Sequence, residues 1–227
     1  MPAVPPSAHP HQGEPPVALR GWWLRGGKRA FDTVAAGIGL LALAPLLLLI
    51  AAWVRLDSPG PVFFRQQRVG QGGRPFRIHK FRTMRHAPQQ AGAQITVGDD
   101  ARITRAGRLL RAAKLDELPQ LIDVLRGDMS LVGPRPEVPR YVALYPPELR
   151  ARVLAVRPGI TDLASIVFRD ESALLARADD PEQAYRQVIL PRKLELAARY
   201  VEQASLITDL RLILRTLAAI AGRGPGR

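Results

Sequence analysis

Between Thr33 and Val54 the chain runs for 22 residues without a charged side chain (TVAAGIGLLALAPLLLLIAAWV). A straight helix of that length is about 33 Å long, and a bilayer's hydrocarbon core is about 30 Å thick. A cleaved signal peptide fits poorly, because the run is long and no small-residue cleavage site precedes the basic segment after it. Two features also set it apart from a simple span. Pro45 sits near the middle, where its missing N–H and its ring favour a break. Both flanks are basic, with Arg20, Arg25, Lys28 and Arg29 before and Arg55, Arg65 and Arg68 after. The charge difference that orients a spanning helix is therefore almost absent. A helix-break-helix that enters and leaves by one face satisfies both observations; the pattern leaves a kinked span open.

The 227 residues have room for one compact domain around this segment, with attachments. Residues 1–27 read as a disordered tail, 28–56 as the membrane helix, 57–170 as a catalytic domain and 171–227 as a C-terminal helical region. In that last region Leu206, Leu210, Ile213, Leu214 and Leu217 recur at helical spacing, with Asp209, Arg211 and Arg215 off the stripe. Such a helix lies in a headgroup plane or packs on the core. There is no cysteine, which excludes disulfides, thiolate catalysis and cysteine-ligated zinc. A net charge of +13, mostly from arginine, attracts phosphorylated substrates, anionic lipid or nucleic acid.

After the turn-rich Asp57–Pro61, aromatic and β-branched residues flank Gly70-Gln71-Gly72-Gly73, the pattern of a β-hairpin with a cationic face. His79 and His86 have no partners at metal-ligand spacing and receive no role. Arg105, Arg108 and Arg111 are three apart, on one side of a helix. Leu115-Asp116-Glu117-Leu118-Pro119 follows, then an apolar helical face ending before Gly127. Asp116 falls at or beside an N-cap, a position where aspartate needs no chemistry. The same position keeps a carboxylate ionised and draws in a diphosphate, which suits a nucleophile. Pro134 and Pro136 restrict the backbone around Arg135, making its guanidinium a candidate phosphate clamp.

Six signatures stand in order: Lys28-Arg29-x-Phe31-Asp32, Ser58–Arg65 (SPGPVFFR), Lys80–Met84 (KFRTM), Asp116–Gln120 (DELPQ), Gly127–Pro136 (GDMSLVGPRP) and Arg157–Thr161 (RPGIT). The ordered set resembles the bacterial sugar transferases, the monotopic phosphoglycosyl transferases that begin lipid-linked glycan assembly. The resemblance implies a mainly helical α+β fold with a re-entrant N-terminal helix broken at Pro45, a small β-hairpin and amphipathic interfacial helices. It implies a location on the cytoplasmic face of the bacterial inner membrane. It also implies Mg²⁺-dependent transfer of a sugar 1-phosphate from a UDP-sugar to polyprenyl (undecaprenyl) phosphate, releasing UMP, through a phosphosugar on Asp116. Asp116 would also meet the metal, and Glu117 would assist through the metal or as a base. Arg111, Arg135, Lys80 and Arg82 fall at phosphate- or substrate-binding positions, and Lys28 and Arg29 at the pair that meets lipid headgroups. No nucleic-acid partner is implied, and self-association is left open.

Two departures stand out. Ala44-Pro45 replaces the usual Ser-Pro at the helix break, and the chain after Thr161 diverges, so the resemblance does not carry a sugar identity. Two other readings remain: a conventional glycosyltransferase releasing UDP, and a non-enzymatic basic module tethered to the membrane.

Overall fold

The computed structural model describes residues 23–85 and 100–222. Most of the expected tail, and His86, lie outside the described residues. The last part of that tail does not conform to the expectation. Trp23–Gly27 form a π-helical turn leading directly into the long apolar helix. Trp23 orders it: the indole is buried, tilts against Phe31 and donates its N–H to Asp209 (3.2 Å).

The apolar run becomes α1, Lys28–Asp57. Pro45 sits inside this helix, and helical structure continues on both sides of it. Proline removes one backbone donor, but the Leu- and Ala-rich neighbours are strong helix formers that carry the helix past it. Ala36, Leu40, Leu43, Leu47, Ile50 and Val54 make one stripe that packs on the body. Its first half meets Ile78, Leu121, Val124 and Met129, and its second half meets Phe81 and Leu110. The other side exposes Val34, Ile38, Leu41, Leu48, Leu49 and Leu56. By length and composition α1 could cross a membrane.

Cations fasten α1 at both ends. Lys28 is buried, pairs with Asp209 and lies 3.9 Å from Asp32. Arg29 donates to the carbonyls of Val124 and Leu125. Both were expected at lipid headgroups; here their side chains meet a carboxylate and two backbone carbonyls of the body. Arg82, expected to bind phosphate, is also buried, and donates to the carbonyls of Val54, Ser58 and Pro59. It satisfies the last acceptors of α1, which a helix end leaves unpaired.

The predicted hairpin is present. β1 (Phe63–Val69) runs antiparallel to β2 (Pro75–Phe81), pairing Phe63 with Phe81 and Val69 with Pro75. Helices α2 (Arg105–Ala112) and α3 (Gln120–Arg126) follow, separated by a 3₁₀ turn, Leu115–Glu117. β3 (Ser130–Val132) then pairs in parallel with β4 (Gly159–Thr161), across a crossover holding α4 (Pro139–Val142) and α5 (Pro147–Val153). Glycines let the two segments touch: a Cβ at Gly159 would lie 2.1 Å from the Gly133 nitrogen, and one at Gly133 would lie 2.5 Å from the Arg157 oxygen. Four helices complete the body before the last: α6 (Leu163–Val167), α7 (Glu171–Leu175), α8 (Pro181–Ala184) and α9 (Leu190–Gln203), with a π-helical turn at Tyr185–Ile189. α10 (Leu206–Ala221) closes it. Asp209 of α10 is buried and accepts from Tyr200 at 2.7 Å, so it is an internal anchor rather than part of a solvated face.

Candidate active site

The chain that carries the acidic pair is bent by one unusual residue. Lys114 has φ 57°, the only positive φ outside glycine among the described residues. A left-handed non-glycine residue costs about 1–3 kcal/mol and is found where the surroundings enforce it. Here it ends α2 and rolls Leu115–Glu117 into the 3₁₀ turn. Asp116 is therefore not the cap of α3: Pro119 holds that position, and no side chain caps it. The cap role open to Asp116 in the sequence is absent, and its carboxylate is free of backbone duty.

A second element brings a lysine to the pair. In β2 the neighbours His79 and Lys80 point to opposite faces, as strand geometry requires. His79 faces inward and is pinned by fully buried Asp123, through its backbone N–H (2.8 Å) and its Nδ1 (2.5 Å). Lys80 faces the cleft and donates to Glu117 Oε1 at 2.7 Å. A third element delivers Arg135, which grips Glu117 with both guanidinium arms, NH2 to Oε1 at 2.5 Å and NH1 to Oε2 at 3.3 Å. Asp162 steadies that loop: Oδ2 accepts from the Arg135 backbone N–H, while Oδ1 caps α6 through Ser165. Sequence reasoning passed over both Asp123 and Asp162. The spacing Asp162-x-x-Ser165 before a helix is a capping signal that could have drawn attention to the second.

The two carboxylates are shifted in opposite directions. Glu117 is buried, which alone would raise its pKa, but Arg135 and then Lys80 hold it well below the usual carboxylate range. Arg135 is correspondingly raised by Glu117. Lys80 is pushed down by burial, against the pull of Glu117. For Asp116, burial wins and pushes the carboxyl up; Lys80 opposes this and the charge on Glu117 adds to it. Asp116 Oδ1 is buried and makes no hydrogen bond to any described residue.

Both carboxylates line a cleft of about 670 Å³, together with Lys80, Arg111, Lys114 and Arg135. Arg111 also donates to Thr83 Oγ1 at 3.1 Å. Farther along, Glu137, Tyr185, Lys193 and Glu171 form a polar cluster through Tyr185–Glu137 (2.5 Å) and Lys193–Glu171 (2.5 Å) contacts. Of the site residues expected from sequence, Asp116, Glu117, Arg111, Arg135 and Lys80 share this cleft. Lys28, Arg29, Arg82 and Pro45 are not part of its lining.

Among the described residues no cluster of three His, Cys, Asp or Glu side chains is arranged to hold a metal. Mg²⁺ commonly takes one or two carboxylates together with substrate phosphates, so a full protein cage is not required. Glu117 is occupied by two cations; Asp116 keeps a hard oxygen donor unpaired, and it fits such an ion.

A buried carboxylate with an oxygen free of hydrogen bonds thus shares a cleft of small-molecule size with several cations. Residues 23–223 match the bacterial sugar transferase family, and the protein belongs to it. Its relatives include a UDP-glucose:undecaprenyl-phosphate glucose-1-phosphate transferase of Caulobacter vibrioides, 45% identical over 198 residues, covering 85% of this chain and 69% of that protein. A UDP-N-acetylgalactosamine-undecaprenyl-phosphate N-acetylgalactosaminephosphotransferase of Aeromonas hydrophila is 40% identical over 195 residues, 85% of this chain and 43% of its own. The exopolysaccharide production protein PSS of Rhizobium leguminosarum is 40% identical over 206 residues, 88% of this chain and 97% of its own.

Proposed function

We propose that the protein is a phosphoglycosyl transferase that moves a sugar 1-phosphate from a UDP-sugar to a polyprenyl phosphate in two steps. In the first, an oxygen of the Asp116 carboxylate attacks the β-phosphorus. The bond from that phosphorus to the bridging oxygen breaks, UMP leaves with that oxygen, and the phosphosugar stays on Asp116. In the second, an oxygen of the lipid phosphate attacks the same phosphorus. The acyl–phosphate bond breaks, Asp116 is regenerated and a lipid diphosphosugar departs. The observation that carries this reading is the free Oδ1 of Asp116, buried beside a carboxylate that two cations have already neutralised.

Glu117 is a positioning residue in this scheme. A carboxylate held far below the usual range is a poor base, and both its oxygens are engaged. It fixes Lys80 and Arg135, and these with Arg111 and Lys114 receive the diphosphate. Mg²⁺ at Asp116 would offset the repulsion between carboxylate and phosphate.

The membrane side of the reading rests on α1. Both of its halves lie on one globular body, while its far face is apolar and exposed. A helix fastened in this way lays its apolar face in the membrane and keeps the body on one side, which we assign to the cytoplasmic face of the inner membrane. The product starts a lipid-linked glycan, with exopolysaccharide the class named for the Rhizobium relative.

The test is intact-protein mass spectrometry after incubation with a panel of UDP-sugars and Mg²⁺, without lipid. One of them should add the mass of its phosphosugar, and Asp116→Asn should add none. UDP as the sole nucleotide product would establish a conventional glycosyltransferase instead.

A further inference from the structure

The cleft has two chemically different directions leading away from Asp116. One passes Arg135 to the polar cluster of Glu137, Tyr185, Lys193 and Glu171. The other is lined by Leu118, Leu121, Ile160, Ile213, Leu217 and Ile220. Leu118 and Leu121 follow Asp116 in the chain by two and five residues. Leu121 also touches the membrane helix, since a Cβ at Gly39 would sit 3.4 Å from its Cδ1. The apolar direction thus runs from the reactive carboxylate to the flank of α1.

The far wall of that direction is α10. Ile213, Leu217 and Ile220 share one helical face with Thr216, whose hydroxyl meets Thr161 of β4 at 2.6 Å. Leu212 and Asp209 hold the first half of the helix in the core. The helix is therefore clamped from within, yet its cleft-facing apolar side chains remain only partly covered, and Leu217 is 57% exposed. Leu217 continues outward into exposed Leu214 and Leu210. Such surface would not stay open at a protein–water boundary without an apolar ligand or lipid to cover it.

We propose that this face of α10 seats the first isoprene units of the acceptor, holding its phosphate towards Asp116. The inference rests on the two-step reading above. The acceptor phosphate must reach the phosphorus on Asp116, and its hydrocarbon cannot be led over Lys80, Arg111 and Arg135 or through the Glu137–Lys193 cluster without stripping water from charges. The apolar direction alone accepts it. The polar direction is left for the hydroxyl-rich part of the donor.

The experiment uses the full chain in nanodiscs with two acceptors, undecaprenyl phosphate and geranyl phosphate. Ala219→Trp, which adds bulk to the cleft wall, and Ile213→Ala, which removes it, are compared with Ala218→Gln on the exposed side of α10 away from the cleft. For both wall variants, phosphosugar loading on Asp116 from the donor alone should stay within about twofold of the parent. Discharge by undecaprenyl phosphate should weaken by roughly tenfold in kcat/KM, as expected when apolar contacts are lost or blocked. Geranyl phosphate, which carries only the first two isoprene units, should lose discharge to a similar degree in both wall variants. Ala218→Gln should leave discharge unchanged. Normal discharge in both wall variants would overturn the assignment, as would loading and discharge falling together. If the parent itself failed to load, the two-step reading would fall, and the overall turnover of the same variants with the two acceptors would still decide the seat.

Discussion

At the foot of α1, Asp209 is completely buried and accepts hydrogen bonds from Trp23, Lys28 and Tyr200. In the cleft, Asp116 is almost as buried, and its Oδ1 accepts none. Both sit near a lysine and a second carboxylate, Asp32 in one case and Glu117 in the other. In the first region three donors converge on the central carboxylate. In the second they converge on its neighbour, so that Lys80 and Arg135 serve Glu117 and leave Asp116 wanting. A buried acceptor left unpaired costs about 1–3 kcal/mol, which a purely structural cluster has no reason to retain. The anchor has spent its lone pairs on the fold; Asp116 Oδ1 has not.

The comparison is broken most severely by Asp116→Asn. The change keeps shape and removes the nucleophile, so UMP release and phosphosugar loading should fall by roughly 10⁴-fold or more. The thermal midpoint should hold or rise, because burial already disfavours the ionised carboxyl. Nucleotide chromatography and a melting curve read the two halves. A variant retaining a tenth of the parent rate would remove Asp116 from the reaction.

Lys28→Met should do the reverse. It strands Asp209 without its cation, and removing one partner of a buried pair costs about 3–5 kcal/mol. For a chain of this size the midpoint should drop by roughly 10 °C. Phosphosugar loading per folded molecule, measured well below that midpoint, should survive. Glu117→Gln falls between the two, because Glu117 both pairs buried cations and aims them. Loading should drop by roughly 10²-fold, together with a lower midpoint. Loss of activity with an unchanged midpoint would make Glu117 a participant in the chemistry rather than a positioning residue.

The sequence was most readable where a rule acts locally. Alternating apolar residues around paired glycines gave the hairpin, and helical spacing gave α1 and α10. Asp116, Glu117, Arg111, Arg135 and Lys80, singled out from the ordered motifs, line one cleft. Charge was read less well. Lys28, Arg29 and Arg82 look like surface cations, yet each satisfies a carboxylate or carbonyl that only the tertiary fold brings near. Asp123 and Asp162 were missed for the same reason: their partners His79 and Arg135 lie 44 and 27 residues away. The parallel pair β3–β4 escaped notice because three-residue strands carry no periodicity.

The smallest expected effect concerns the partner carboxylate of the anchor. Burial pushes Asp32 above its ordinary value, outweighing Lys28 and the hydrogen bonds from Ser130 and Leu131. Between the unfolded and folded pKa values the folded protein holds a proton that the unfolded chain has released, so stability falls as pH rises through that window. Above it the penalty is constant. Asn is neutral throughout and keeps an oxygen for the Leu131 N–H, which lies 3.1 Å from Asp32 Oδ1. Asp32→Asn should therefore be slightly more stable than the parent at pH 7, and the gain should vanish as pH falls towards roughly 4. Urea midpoints at the two pH values read this directly. A loss of stability at pH 7 would mean that Lys28 needs both carboxylates, and that the anchor is a charge triad rather than a single clamped aspartate.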